Sequence, residues 1–269
     1  MSKSAELSED AIVRSWHDRA RAYDNLIGHW SIFTEMVDRL IGLIPGDFAG
    51  HALDIGGGSG LLSERLLDRH SNASITLVEP AEAMRSLALH RLGSRVEIRD
   101  ATSDRVGELG IVADAALCSA SFHLMNEDTT LPSVAAALKP DSVFAVNLWG
   151  HSFEETATLD QKVDWTEFVN LALCESGEQP LPRPKKVPPR LRSAEGLRRI
   201  GEACGLHLQD KQIVESRIET RFNIEFAAMT NTFPGRVTPA RREHIINRAL
   251  ELCTGIDTIF SVDFRFIRK

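Results

Sequence analysis

The chain has 269 residues, of which 43% are hydrophobic and 26% charged, with a formal net charge of −7 and an isoelectric point near 5.7. That length is enough to bury a full core, and the acidic balance excludes a global nucleic-acid footprint. No apolar run approaches the ~18 residues of a membrane span, and the four cysteines, Cys118, Cys174, Cys204 and Cys253, have neither zinc spacing nor a disulfide framework. A reducing cytoplasm is the expected compartment, and Met1–Glu6 lacks the apolar core of a signal peptide.

Residues 9–42 read as helices, because Leu26, Trp30, Phe33, Val37, Leu40 and Ile41 recur at helical spacing and form one apolar stripe. Next comes Ala52-Leu53-Asp54-Ile55-Gly56-Gly57-Gly58-Ser59-Gly60, a short apolar run, an acid and a glycine cluster before a helical segment. This is a strand, a tight loop and a helix N-terminus. Glycines let the backbone approach a ligand closely, and the helix end offers unpaired N–H groups. A triphosphate loop would end in glycine, lysine and serine or threonine, but no Lys follows Gly60. A dinucleotide loop would carry a small residue where Leu61 stands.

Ser74–Glu79 reads as a second buried strand ending in an acid, and Glu79 lies where nucleotide folds place a carboxylate on ribose hydroxyls. Pro80 to Met84 opens a helix with Met84, Leu87, Ala88 and Leu92 near one face. Val96–Ala101 is a third strand, and Ala113–Cys118 a fourth, followed by Ser119-Ala120-Ser121-Phe122-His123. Thr129–Lys139 reads as a helix, closed by Pro140, with Leu131, Val134, Ala135 and Leu138 inward. Ser142–Trp149 is a fifth strand. Strands alternating with amphipathic helices mean βαβ units and a parallel sheet.

The pattern Asp54-x-Gly56-x-Gly58-x-Gly60, followed in order by Glu79 and Asp100-Ala101, resembles the class I S-adenosylmethionine (SAM)-dependent methyltransferases, small-molecule type. The resemblance covers about residues 50–150. It implies an α/β fold, a doubly wound, mostly parallel, Rossmann-like sheet of seven strands. It also implies SAM as cofactor, no metal, and a cofactor site of Asp54, Gly56, Gly58, Gly60, Glu79, Pro80, Met84, Asp100, Ala101 and Ser119. In such a site Glu79 takes the ribose and Asp100 the adenine amino group. Upstream, Ala20-x-x-Tyr23-Asp24 resembles an element that folds over the cofactor in many small-molecule members, which adds Tyr23. The absence of Asn/Asp-Pro-Pro-Tyr/Phe and of Pro-Cys after the fourth strand argues against nucleobase methylation. His123, in a Ser-Phe-His run, is a candidate general base, with His151 a second pocket-edge candidate. Each also has a plain structural reading.

The rest divides into additions. The expected organisation is an N-terminal helical cap (1–45), a SAM-binding core (46–150), a helical insertion or lid (151–192), and the remaining core (193–269) with a helical insertion at 217–256. Within the first insertion, Thr156–Cys174 reads as a helix with Leu159, Val163, Phe168 and Leu171 inward. Residues 180–192 are proline-rich and basic, a solvated crossing loop or a lid over an anionic substrate. From Arg183 to Arg199 seven Lys/Arg face the single acid Glu195. Ser193 reads as an N-cap and Gly205 as a helix C′ residue. His207–Glu215 and Thr258–Ile267 read as late strands, the second inserted antiparallel and apolar on the face of Thr258, Phe260, Val262, Phe264 and Phe266. Helices are expected over Asn223–Asn231 and Pro239–Leu252, with Ile224, Phe226, Ala227, Met229 and Phe233 helping to roof the carboxyl edge of the sheet. The function expected is methyl transfer to an O, N or C atom of a small-molecule metabolite, with no nucleic-acid or membrane partner and a homodimer left open. The alternatives are a SAM-dependent cyclisation or a SAM-binding scaffold.

Overall fold

The computed structural model describes residues 9–181, 192–229 and 238–269. The readings of Met1–Glu6, of the proline-rich run from 182 to 191, of Asn231 and of Phe233 lie outside the described residues. Seven strands form one sheet: β1 (His51–Ile55), β2 (Ser74–Val78), β3 (Glu97–Arg99), β4 (Ala113–Cys118), β5 (Leu138–Trp149), β6 (Leu206–Glu219) and β7 (Ile256–Arg268). Their order is β3-β2-β1-β4-β5-β7-β6. The first five run parallel, and β7 is antiparallel to both of its neighbours. The strand order reverses between β1 and β4, which opens a crevice at the carboxyl ends.

The central strands are buried on both faces. One face carries Leu53, Ile55, Phe144, Phe264 and Phe266 against the helices α5 (Glu127–Ala136) and α7 (Ala194–Ala203). The other carries Ala52, Leu77, Leu117 and Ala145 against α2 (Ser31–Ile41), α3 (Leu61–Arg69) and α4 (Glu82–Leu92). Ser193 caps α7 by accepting from the Gly196 amide at 3.1 Å, and Gly205 takes a φ of +81° after the helix. Before α2, the long helix α1 (Glu9–His29) breaks at Trp30, whose backbone is extended, and the chain re-enters as α2 with Ile32, Phe33, Met36, Val37, Leu40 and Ile41 buried.

Several expectations are corrected. The helix read over Thr156–Cys174 is α6 (Trp165–Glu175) alone, preceded by turns. Asp164 caps it by accepting from the Thr166 amide, a local signal that starts the helix late. With the register moved, Val169, Ala172 and Leu173 are buried, while Leu159, Val163 and Leu171 are exposed. The helix α5 ends at Ala136, and β5 already includes Leu138 and Pro140. β3 is only Glu97–Arg99. β7 is not one-sided, because Ser261 and Asp263 on its other face are also buried. Arg39 on α2 donates to Asp263 at 2.9 Å and to Ser261 at 2.8 Å, so an ion pair covers that face. Among the described residues, the helices α8 (Arg221–Met229) and α9 (Pro239–Leu252) buttress the roof rather than line the cavity. Phe222 packs on Phe33 and Ile32 of α2, while Ile245 and Ala249 pack with Val169 and Leu173 of α6.

Candidate active site

Where β1 ends, the chain must turn sharply into α3. Gly56 has a φ of +65°, and a Cβ there would fall 2.7 Å from both Ser121 Oγ and Met125 Cε. A side chain at this point would be strained and would push into the turn after β4. The amides of Gly56 and Gly57 donate to the Val78 carbonyl at 2.8 and 3.2 Å, which ties the loop to β2. Gly60, with a φ of +90°, is the N-cap of α3. Glu79 continues β2 and closes the loop. One carboxylate oxygen accepts from the Gly58 amide at 3.0 Å and the other from the Ala81 amide at 2.8 Å. Burial pushes the Glu79 carboxyl above the usual range, against these two hydrogen bonds.

Asp54 is 1% exposed. Ser63 donates to its Oδ2 at 2.7 Å, while its Oδ1 is buried without a hydrogen-bond partner. Burial pushes this carboxyl up to about 7. Ser59 Oγ is likewise buried and unsatisfied. Unsatisfied buried acceptors cost ~1–3 kcal/mol each, so these atoms mark a place for a polar ligand.

A cavity of about 1090 Å³ opens over this loop. Tyr23, Asp54, Gly56, Gly58, Glu79, Pro80, Met84, Ala101, Ser119 and His123 all line it. Three of the expected site residues do not. Gly60 shapes the start of α3. Asp100 turns outward, with its side chain 68% exposed and ion-paired to Arg85 at 2.8 Å. His151 stands in the short turn after β5, its ring 6.3 Å from that of His123. In place of Asp100, the segment Thr102-Ser103-Asp104 just beyond β3 reaches the cavity.

The roof comes from α1 and α2, through Trp16, Tyr23, Ile27, Phe33, Met36 and Val37. Burial, together with the Glu79 charge, pushes the Tyr23 phenol up, so it stays neutral. An ion pair holds α1 down: Arg91 on α4 pairs with Asp24 of α1 at 2.7 Å, and Arg91 is itself anchored by Glu64 of α3 at 2.9 Å.

The far wall is the turn after β4. Asn147 on β5 is fully buried and braces it, accepting from the Ala120 amide at 2.7 Å and from Ser119 Oγ at 3.3 Å. Its amide group donates to the Met36 carbonyl of α2 at 3.0 Å. Ala120 is thereby held at a φ of +51°, a conformation that costs a non-glycine residue energy. His123 Nδ1 is buried without a partner. Burial, then His151, then Arg192 hold the imidazole down to about 3, so at neutral pH it is uncharged and a weak proton acceptor. Burial pushes the Cys118 thiol up to about 12, which leaves it a packing residue. Arg192, 3% exposed, completes this wall and donates to the Met125 carbonyl at 2.7 Å. Sequence reasoning treated Phe33 and Val37 as packing, counted Arg192 within a basic run and passed over Met125, because only the fold brings them together.

Residues 52–141 match the family model for a methyltransferase domain. Over that stretch the chain carries a class I SAM-dependent methyltransferase domain. The cofactor of such domains is SAM, and the loop fits it on two observations, the unsatisfied Asp54 Oδ1 and the open space over Gly58, where a Cβ would meet nothing within 4 Å. Among the chain's relatives is a malonyl-[acyl-carrier protein] O-methyltransferase of Geobacter sulfurreducens, 28% identical over 144 residues, which are 52% of this chain and 53% of that protein. The chain spans about half the length, or less, of the curated relatives it matches. Two solved structures share the fold. The YcgJ protein of Bacillus subtilis has a TM-score of 0.57 at 17% identity, over 88% of this chain and 99% of its own. The [4+2]-cyclase SpnF has a TM-score of 0.55 at 18% identity, over 87% and 80%.

Proposed function

We propose that this chain transfers the methyl group of SAM to an O, N or C atom of a small molecule held in the same cavity. The observation that carries this reading is the cavity itself. At about 1090 Å³ it lies above the roughly 300–1,000 Å³ of a single small-molecule site. It joins the glycine loop to an apolar chamber under α1 and α2.

Bound SAM supplies an activated methyl group on a sulfonium. Glu79 holds the ribose hydroxyls, and its two main-chain hydrogen bonds fix the carboxylate in place for that task. Asp54 Oδ1 would hold the ammonium of the methionine part, and Met84, Pro80 and Ala101 would pack around the base. Ser119 stands at the transfer end, where Asn147 locks the turn. Tyr23 and Phe33 meet edge to face at 5.8 Å and exclude water from above. His123, held neutral, orients an acceptor rather than deprotonating it. Catalysis then rests on holding acceptor and methyl in line. The scattered cysteines and the net charge of −7 support a reducing cytoplasm and an acceptor other than nucleic acid.

The test is incubation with methyl-labelled SAM and a metabolite extract. S-adenosylhomocysteine (SAH) and a labelled small product are expected. SAH binding without any labelled product overturns the proposal.

A further inference from the structure

We propose that the acceptor is a carboxylic acid with an apolar body, its carboxylate held by Arg192 at the wall of the cavity formed by the turn after β4. This rests on the methyl-transfer reading above and names the substrate class of that site. The first observation is the placement of a cation. Arg192 is 3% exposed, yet it lines the cavity. Burying a guanidinium is costly unless hydrogen bonds and counter-charges surround it. Here the Met125 carbonyl accepts at 2.7 Å, the Phe122 ring lies 5.7 Å below, and Glu127 sits 3.5 Å away, itself outside the cavity lining. The group is fixed rather than swinging from the surface. A guanidinium carries five N–H donors in one plane, so one arginine serves a carbonyl and a carboxylate together.

The second observation is a helix end. α5, ten residues long, starts beside Arg192, and Asn126 and Thr129 of its first turn line the same wall. Its positive end adds to the field that an anion feels, net of the acids Glu127 and Asp128 in the same turn. Third, the neighbouring surface is apolar. Phe33, Met36, Val37 and Leu124 line the chamber, so an acceptor with a hydrocarbon body buries it there.

The chemistry agrees. A hydroxyl or ammonium acceptor must lose a proton, and His123 is a weak acceptor of one. A carboxylate has no proton to lose. One of its oxygen lone pairs forms the C–O bond to the methyl carbon while the carbon–sulfur bond breaks, and that pair stays on sulfur. A carboxylate and a sulfonium become a neutral ester and a neutral thioether, with no proton moved and no other reactant needed.

The test uses the full chain with octanoate, octanol, octylamine and octanamide as probes. Calorimetric titration is run on the SAH-loaded chain, and labelled-methyl transfer on the chain with SAM. Octanoate should bind and give methyl octanoate, and the other three should give less than a tenth of that product. Arg192→Gln should weaken octanoate binding at least tenfold while SAH affinity stays within twofold, and Arg192→Lys should recover part of the loss. Should Arg192→Gln fail to fold, the comparison of the four probes on the unaltered chain still decides. Failure of octanoate to bind the SAH-loaded chain overturns the proposal, as does faster transfer to octanol or octylamine. In either case the methyl-transfer reading stands if SAH binds and any acceptor is labelled, and falls only if none is.

Discussion

The two ends of the cavity are built by different means. At the cofactor end, main-chain groups do the shaping: the Gly56 and Gly57 amides reach β2, and Glu79 returns to the Gly58 and Ala81 amides. All of this lies within about one βαβ unit. At the acceptor end, side chains from distant segments do it. Asn147 of β5, Met36 of α2, Ser119 after β4 and Arg192 before α7 meet only because the sheet brings them there. The cofactor end carries acids above their usual range, waiting for a cationic or hydroxyl-rich ligand. The acceptor end carries a neutral imidazole and a buried guanidinium. In the proposed reading binding power is concentrated at one end and selectivity at the other, and variants at the two ends should separate the two properties.

The largest effect is expected at the loop. Gly56→Val puts a β-branched residue at a φ of +65° and a Cβ 2.7 Å from Ser121. SAH affinity should fall on the order of 100-fold, or about 2.7 kcal/mol, by calorimetry, with circular dichroism reporting an intact fold. Near-normal affinity would break the claim that the loop conformation makes the cofactor end.

Asn147→Ala sharpens the comparison from the other side. It strips the brace from Ala120, Ser119 and Met36. Loss of a buried amide that makes three hydrogen bonds should cost about 1–3 kcal/mol of stability, read from denaturant melts. Turnover should fall further than SAH affinity. Equal losses in both would mean that the brace serves the whole cavity.

A pH effect follows from Asp54. Its folded-state value is raised to about 7, above the unfolded value of ~3.9. Between pH 4 and 7 the folded chain binds more protons, so this group's contribution to stability is full at low pH and is lost as the pH rises through 7. Ligand binding has the opposite sign. Pairing with an ammonium requires the ionised form, so SAH affinity should rise roughly tenfold from pH 6 to 8, and Asp54→Asn should flatten the curve. An affinity that falls over that range would remove Asp54 from the ammonium role.

The smallest of these effects belongs to His123. With the imidazole held near 3, His123→Asn should lower kcat by less than about tenfold, against the 10²–10⁴-fold of a general base. A loss of the larger size would restore the base.

The same division explains what could be read in advance. The seven strands and the sites at Asp54, Gly56 and Glu79 are local patterns of apolar runs, glycines and acids, and the structure places them in one sheet and one cavity edge. Asp100 follows the family spacing, but a three-residue β3 lets the chain turn early. Arg85 then draws the carboxylate outward, and Thr102–Asp104 reach the cavity instead. The α6 register was missed because Leu159 and Val163 mimic helical spacing while Asp164 starts the helix later. The burial of Ser261 and Asp263 depends on Arg39, 222 and 224 residues away in the chain. Arg192 gave no local sign either, standing in a basic run just before a helix cap.

The most direct measurement is a calorimetric titration of SAH into the unaltered chain, Glu79→Ala and Asp100→Asn side by side. A cofactor held inside the cavity by Glu79, with Asp100 outside it, predicts a loss of roughly 10–100-fold for Glu79→Ala, or about 1–3 kcal/mol. It predicts a change within about threefold for Asp100→Asn, the size expected of an exposed ion pair. Unchanged affinity in Glu79→Ala, or an equal loss in Asp100→Asn, would contradict the account.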